Sequence, residues 1–128
     1  MAKVHPTSDA GYAQKIQTNG HELTADEGAS MGGTDTGPAP YELLLAGLGA
    51  CTSITLRMYA DRKGWKLGRI DLDMHFGRDE AGNESIQRTL TFSESLTDEQ
   101  QTKLLEIAGK TPVTKTIMHG TPITTKIL

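Results

Sequence analysis

Apolar and polar residues alternate over two neighbouring segments of the chain, residues 70–76 and 86–92. A period of two is typical of strands that bury one face. Residues 81–83, Ala-Gly-Asn, lie between the segments and are typical of a turn. The pattern therefore predicts an antiparallel hairpin. The residues that share its patterned face are Ile70, Leu72, Met74 and Phe76 in the first strand and Ile86, Arg88, Leu90 and Phe92 in the second.

A helical spacing replaces this alternation after Pro40, and it predicts a helix that ends near Lys63-Gly64. Other apolar residues lie off the main stripe, so we expect the helix to be buried on most of its sides. One sheet of a small monomer could not cover it, and a homodimer with this helix in a shared core is the simplest arrangement. The predicted stripe consists of Leu44, Leu48, Cys51, Thr55 and Met58.

The remaining segments predict shorter elements. Residues 12–17 and 21–25 are expected to form two strands joined at Asn19-Gly20, and the glycine-rich residues 28–38 are expected to form a surface loop. Thr97 is predicted to cap a helix that stops at Gly109, followed by a short helix over residues 112–118 and a last strand over residues 123–128. This order of elements indicates an α+β fold.

The composition narrows the class of protein. With 128 residues, 36% of them hydrophobic, the chain fits a single domain over residues 1–128. A net charge of −3 gives no electrostatic footprint for nucleic acid or an anionic membrane surface. The longest apolar run, residues 43–50, is short for a membrane span, and the first residues lack the apolar stretch of a signal peptide. We therefore expect a soluble cytoplasmic protein.

The chain contains one cysteine, Cys51, so any disulfide must join it to another molecule. It lies in a proline-led helix flanked by small residues, and this segment resembles the first-cysteine helix of the OsmC/Ohr family of thiol-dependent hydroperoxide-resistance proteins. A second string, which begins Thr111-Pro112-Val113, looks like the second motif of that family. The first string reads Pro40-Tyr41-Glu42-Leu43-Leu44-Leu45-Ala46-Gly47-Leu48-Gly49-Ala50-Cys51.

The resemblance implies an OsmC-like fold, with antiparallel sheets wrapped around central helices in an intertwined homodimer. It also implies peroxiredoxin-like stress defence, in which Cys51 attacks an organic hydroperoxide or hydrogen peroxide and no cofactor is needed. In the family's peroxidases a second cysteine precedes the Pro-Val pair, and here that position holds Thr111. The oxidised Cys51 would therefore need an external thiol as reductant.

In the family an arginine from the N-terminal strands, paired with a glutamate at the start of the helix, activates the thiol. This chain has no arginine before Arg57, and Glu42 is the candidate glutamate, although alignment on Pro40 places Tyr41 at that position instead. Glu42 and Cys51 are nine residues apart, which is about 13 to 14 Å and nearly opposite faces of a helix. Glu42 would therefore act on Cys51 of the other subunit. Otherwise it is an acidic residue of the first turn that the helix dipole stabilises.

Three other interpretations stay open. Cys51 could be a small buried hydrophobe, which is the usual role of a free cysteine. The dimer could bind an apolar or thiol-bearing small molecule without turnover, or Cys51 could form mixed disulfides as a redox sensor. The pocket of the binding interpretation would be lined by Tyr41, Leu44, Leu48, Met58 and either Trp65 or Met118.

The four histidines are not spaced as metal ligands are, so we expect no metal site.

Overall fold

The computed structural model describes residues 1–128, which divide into two compact units, Met1–Ala46 and Gly47–Leu128. The chain is α+β, as the order of patterns predicted, with antiparallel strands throughout. The prediction of a single domain stays a prediction. The elements are β1 (His5–Thr7), β2 (Gln14–Gln17), β3 (Glu22–Ala25), α1 (Pro40–Lys63), β4 (Ile70–Arg78), β5 (Glu84–Phe92), α2 (Asp98–Ala108) and α3 (Pro112–His119).

The first unit contains a three-stranded antiparallel sheet in the order β1-β2-β3. The turn between β2 and β3 lies where the Asn-Gly pair predicted it, with Gly20 at a φ of 81° and the Thr18 N–H donating to the His21 carbonyl at 2.9 Å. Both strands are shorter than predicted. Strand β1 was missed because its three residues are all exposed and show no alternation.

The glycine-rich segment after β3 is an ordered loop with one 3₁₀ turn, Ala29–Met31. Its path requires glycine at two places where backbone approaches backbone. A Cβ at Gly33 would collide with the Glu27 carbonyl oxygen, and a Cβ at Gly37 would lie 2.6 Å from the Thr24 carbonyl oxygen. A side chain at Gly37 would force the loop away from β3, and one at Gly33 would force it away from Glu27.

Helix α1 begins at Pro40 and ends at Lys63 before Gly64, which has a φ of 70°. These bounds confirm the predicted ones, and the single chain covers only part of the predicted stripe. Leu44 and Met58 are exposed, and Cys51 and Thr55 are only partly buried. The helix is apolar on several faces, so its periodicity did not determine which face the chain itself covers. The buried positions recur every four residues, at Leu48, Thr52, Leu56 and Ala60.

By length and composition, α1 would also be long and apolar enough to cross a membrane, although core helices of soluble proteins pass the same test. The helix contains two internal glycines, Gly47 and Gly49, and at neither would an added Cβ meet a neighbouring backbone. A Cβ at Gly49 would meet only the flexible Met74 sulfur, at 2.9 Å, and nothing lies within 4 Å of one at Gly47.

The second unit contains the β4–β5 hairpin, which pairs from Ile70 with Phe92 to Arg78 with Glu84, as the alternation predicted. Helix α2 begins after Thr97 with a capping box, and α3 follows with Pro112 in its first turn. A buried apolar cluster joins the hairpin and α2 to the second half of α1. It consists of Leu56, Ala60, Leu67, Leu104 and Ala108, with partly buried side chains such as Tyr59, Trp65, Leu90 and Phe92 against it.

The predicted last strand is wrong for this single chain. Residues 120–128 form no helix or strand, and the side chains of Ile123, Ile127 and Leu128 are at least 87% exposed. A strand requires backbone N–H and C=O groups of a neighbour to pair with. No strand of this chain pairs with these residues.

Candidate functional site

Cys51 lies in the middle of α1 as a free, partly buried thiol. On one side Ala50 is exposed, and on the other Thr52 is fully buried. The sulfur therefore stands at the edge of the buried stripe rather than within it. This position differs from the interior site expected for a purely space-filling cysteine.

Arg88 is the charged side chain of this region, and β5 carries it at an inward position between Ile86 and Leu90. Its guanidinium makes three hydrogen bonds, one to each of three helices. Nη1 donates to the Thr52 hydroxyl on α1 at 2.8 Å and to the Thr114 hydroxyl on α3 at 2.8 Å. Nη2 donates to the Ala108 carbonyl oxygen of α2 at 2.9 Å. The arginine therefore connects the residue next to Cys51 with the helix of the second motif.

Threonine hydroxyls complete this network. Thr52 donates to the Leu48 carbonyl oxygen at 2.7 Å, which leaves its lone pairs to accept from Arg88. The hydroxyls of Thr111 and Thr114 lie 2.6 Å apart. Thr111, where the resemblance places the family's second cysteine, is fully buried. We call Arg88, Thr52, Thr111, Thr114 and the Ala108 carbonyl group the arginine cage.

The arginine cage contains no carboxylate. None of the ion pairs of the structure includes Arg88, and all three acceptors are neutral oxygens. Burial lowers the pKa of the Arg88 guanidinium, and the charge of Cys51 acts in the opposite direction. An arginine remains protonated under such a shift. The positive charge is therefore held by dipoles alone, and Cys51 is the ionisable group that acts on it.

Glu42 and Tyr41 occupy the first turn of α1, and both are exposed. The Glu42 Oε1 atom accepts the Ala39 N–H at 2.9 Å, which satisfies a backbone donor at the start of the helix. This contact is the one expected of a first-turn acid. The proposed role of Glu42 toward a second subunit stays a prediction.

The first unit contains a second buried charge, Asp26, which sequence reasoning missed. Its carboxylate is 2% exposed and follows β3. Oδ1 accepts the Glu27 N–H at 2.7 Å, and Oδ2 accepts the hydroxyls of Thr34 and Thr36 at 2.6 and 2.8 Å. Oδ2 also accepts both threonine N–H groups at 3.2 Å. We call these residues the aspartate cage, and the hydroxyls of Thr34 and Thr36 hold the pKa of Asp26 well below its usual range.

No group of three or more His, Cys, Asp or Glu side chains lies close enough together to hold a metal ion. The binding pocket of the sequence analysis would lie at a dimer interface, so it stays a prediction. Tyr41, Leu44 and Met58 are exposed, whereas Leu48 is buried. A groove of about 510 Å³ lies between the end of β5 and α2, where Leu90, Phe92 and Leu105 line it.

Sequence reasoning also missed Arg88, although one signal was present. The alternation of β5 assigns Arg88 to the apolar face, and a charge on that face requires partners. The oxygens that accept its hydrogen bonds come from three helices that are distant from Arg88 in sequence, so the sequence does not identify them.

Comparisons with known proteins agree on one family. A family model described as OsmC-like protein matches residues 33–126. No protein with a curated function matches the chain. Among solved structures, an OsmC-like protein from Mycoplasma pneumoniae superposes with a TM-score of 0.79 at 15% identity, covering 92% of this chain and 87% of that one.

Two further structures have names that refer to hydroperoxides. An organic hydroperoxide resistance protein OsmC from Legionella pneumophila superposes with a TM-score of 0.70 at 17% identity, over 91% of this chain and 88% of that one. The organic hydroperoxide resistance protein OhrB of Bacillus subtilis superposes with a TM-score of 0.61 at 25% identity, over 90% of this chain and 88% of that one.

Proposed function

The chain belongs to the OsmC-like protein family, and from this premise we propose that it reduces organic hydroperoxides or hydrogen peroxide through Cys51. The family includes organic hydroperoxide resistance proteins. One observation carries the proposal. The partly buried Cys51 adjoins a threonine that Arg88 connects to Thr114, in the motif where the family's peroxidases have their second cysteine.

The first step is attack of the Cys51 thiolate on one oxygen of the hydroperoxide. An S–O bond forms and the O–O bond breaks, so that Cys51 becomes a sulfenic acid and the hydroperoxide leaves as an alcohol, or as water, after taking up a proton. The thiolate is the reactive species because the neutral thiol is a weak nucleophile. Sulfur is oxidised in this step, and the peroxide is reduced.

The second step requires a thiol that the chain does not supply, because Thr111 replaces the second cysteine. An external thiol condenses with the sulfenic acid to give a mixed disulfide and water. A second external thiol then attacks this disulfide, releases Cys51 and leaves as the oxidised reductant. The proposed partners are therefore a small hydroperoxide and a thiol reductant.

A redox sensor is the second candidate function, and the same threonine favours it. Because Thr111 is fully buried and has no thiol, an oxidised Cys51 persists until an external thiol arrives. A sulfenic acid or mixed disulfide that persists can change the surface of α1. Slow reduction of the oxidised Cys51 by physiological thiols would favour a sensor over an enzyme that turns over.

We also propose that the protein works as a cytoplasmic homodimer with Glu42 of the second copy near Cys51. Two observations support a second copy. Ile54 and Met58 on α1 are 58% and 57% exposed, and the apolar residues of the segment 120–128 are almost fully exposed. Large exposed apolar side chains in such numbers are typical of a surface that a partner covers.

Light scattering tests the dimer. The wild type should have twice the mass of the chain at micromolar concentration, and the double variant Ile54→Glu, Met58→Glu should shift toward the mass of one chain. A monomeric wild type would contradict the dimer without affecting the proposed chemistry of Cys51.

Peroxide turnover tests the function. With cumene hydroperoxide as substrate and dithiothreitol as reductant, we expect consumption by the wild type and none above background by Cys51→Ser. The variant Thr111→Cys should trap an intramolecular disulfide with Cys51 after oxidation, whereas the matched Thr111→Ser should not. Equal consumption by the wild type and Cys51→Ser would contradict the proposed function.

A further inference from the structure

A second groove of about 510 Å³ lies between the C-terminal end of α1 and one face of α2. Tyr59, Lys63 and Trp65 form its first wall. Tyr59 follows Cys51 by eight residues of the same helix, which places it about 12 Å farther along the axis. The groove is therefore a different place from the site of Cys51, and its volume is typical of small-molecule sites. The second wall consists of Glu99, Thr102, Lys103 and Glu106 of α2.

The end of α1 fixes the geometry of the first wall. Gly64, at a φ of 70°, turns the chain out of the helix, and its N–H donates to the Asp61 carbonyl oxygen at 3.3 Å. The Trp65 N–H donates to the Ala60 carbonyl oxygen at 2.9 Å, and the two bonds form a Schellman motif. In this motif the residue after the glycine packs against the last turns of the helix, and Trp65 accordingly meets Tyr59 edge to face, with ring centroids 5.5 Å apart and planes at 74°. We call these two rings the aromatic corner, and its shape is set before a ligand binds.

The charged groups of the groove favour an anionic ligand. Glu106 is already paired, with Nζ of Lys110 at 3.4 Å and Nζ of Lys103 at 3.6 Å, and both lysines lower its pKa. Glu99 and Lys63 occupy the first turn of α2 and the last turn of α1, where the helix dipoles stabilise them, and neither forms an ion pair. The Nζ atom of Lys63 lies over one ring of the aromatic corner, 5.8 Å from the centroid. A cationic ligand would therefore meet Lys63 at the ring face that attracts cations, whereas an anion would find a partner there.

We propose that the groove binds a small planar aromatic anion, such as an aryl carboxylate. Its ring would pack against the aromatic corner, because contacts between rings add to the gain from burying apolar area. Its carboxylate would accept from the ammonium group of Lys63, and the hydroxyl of Thr102 on the second wall is a further donor. Because binding requires no reaction at Cys51, the site goes beyond the proposed peroxide chemistry and does not depend on it.

Trp65 is the only tryptophan of the chain, so its indole N–H gives a single signal in a ¹H–¹⁵N correlation spectrum. Benzoate is the probe, and it should shift this signal along a saturable curve in the millimolar range. Benzyl alcohol keeps the ring and loses the charge, acetate keeps the charge and loses the ring, and benzylammonium reverses the charge. Each of these three compounds should bind more weakly than benzoate.

Substitutions of Lys63 test the role of its charge. Lys63→Gln should weaken the binding of benzoate about two- to fivefold, the size of effect expected of an exposed ion pair. Lys63→Glu should weaken it further and make benzylammonium the better ligand, which a mere loss of local structure would not do. Lys66→Gln is the matched control and should bind benzoate as the wild type does, because Lys66 is exposed and close in sequence but does not line the groove.

Any of three results would contradict the proposal. They are a shift of the Trp65 signal that stays linear in benzoate, equal effects of Lys63→Gln and Lys66→Gln, and tighter binding of benzylammonium than of benzoate by the wild type. Cys51→Ser should bind benzoate as the wild type does, although it should consume no peroxide. A changed benzoate affinity in this variant would contradict the independence of the two sites.

Discussion

The aspartate cage and the arginine cage are built from the same parts, a charge with threonine hydroxyls around it and no opposite charge in contact. They differ in how completely the charge is satisfied. Asp26 is 2% exposed and accepts five hydrogen bonds from three residues. Arg88 is only partly buried, donates three, and has N–H groups left over. The fully satisfied carboxylate of Asp26 anchors a loop, whereas the guanidinium of Arg88 joins three helices.

The causes of their pKa shifts point the same way. Hydrogen bonds from Thr34 and Thr36 dominate at Asp26, so the carboxylate depends on the folded loop for its ionised state. Burial dominates at Arg88, and the opposing influence comes from the charge of Cys51. The first cage therefore links charge to the folded loop, and the second places a charge beside the helix that carries Cys51.

The largest expected effect is the loss of the aspartate cage. Asp26→Asn would place an NH₂ group among five donors, so at least one donor loses its acceptor and the loop after β3 loosens. We expect the largest drop in melting temperature of all the variants described, with the alkylation rate of Cys51 unchanged. Asp79→Asn is the matched control. Like Asp26, Asp79 accepts a backbone N–H, that of Asn83 at 2.8 Å, but Asp79 is exposed. Equal drops for both variants would contradict the anchoring role.

Acid should remove the contribution of the aspartate cage to stability. The folded-state pKa of Asp26 lies below its ordinary value of 3.8, so the unfolded chain binds a proton first as the pH falls. Its contribution to stability is complete above pH 3.8 and declines as the pH drops from there toward the folded-state pKa. Urea denaturation of the wild type and Asp26→Asn at neutral and acidic pH checks this. A gap in stability between them that does not narrow in acid would contradict the expectation.

A smaller effect is expected from one hydroxyl of the arginine cage. Thr52→Val keeps the shape of a fully buried side chain but leaves Arg88 with one acceptor fewer, which costs about 1 to 3 kcal/mol of unfolding free energy. Thr89→Val, on the exposed face of β5, should stay within about 0.5 kcal/mol of the wild type. Urea denaturation midpoints with unchanged slopes would measure both. Equal costs would show that the cage adds nothing to stability.

Elements with their own periodicity could be predicted from the sequence, because neighbouring residues determine them. The β4–β5 hairpin and helices α1 and α2 lie where the alternation, the proline and the capping threonine indicated. Strand β1 could not be found, because three exposed residues carry no pattern. The strand predicted over residues 123–128 is absent, because no strand of the chain pairs with these residues.

The site was only half predictable for the same physical reason. Cys51 and Thr111 could be identified because local motifs carry them. Arg88 and Asp26 depend on contacts that only folding brings together, between residues up to 36 positions apart for Arg88 and Thr52. The buried face of α1 also escaped prediction, since a helix that is apolar on several sides does not reveal which side its own chain covers.

The most direct test of the account is the intact mass of the protein after one equivalent of cumene hydroperoxide, with Cys51→Ser as control. We expect rapid gain of one oxygen atom at Cys51, reversed by dithiothreitol and absent from the control. A thiol that stays unmodified in large excess of peroxide would contradict it. Cys51 would then be structural, and the interpretation as a small-molecule-binding dimer would take its place.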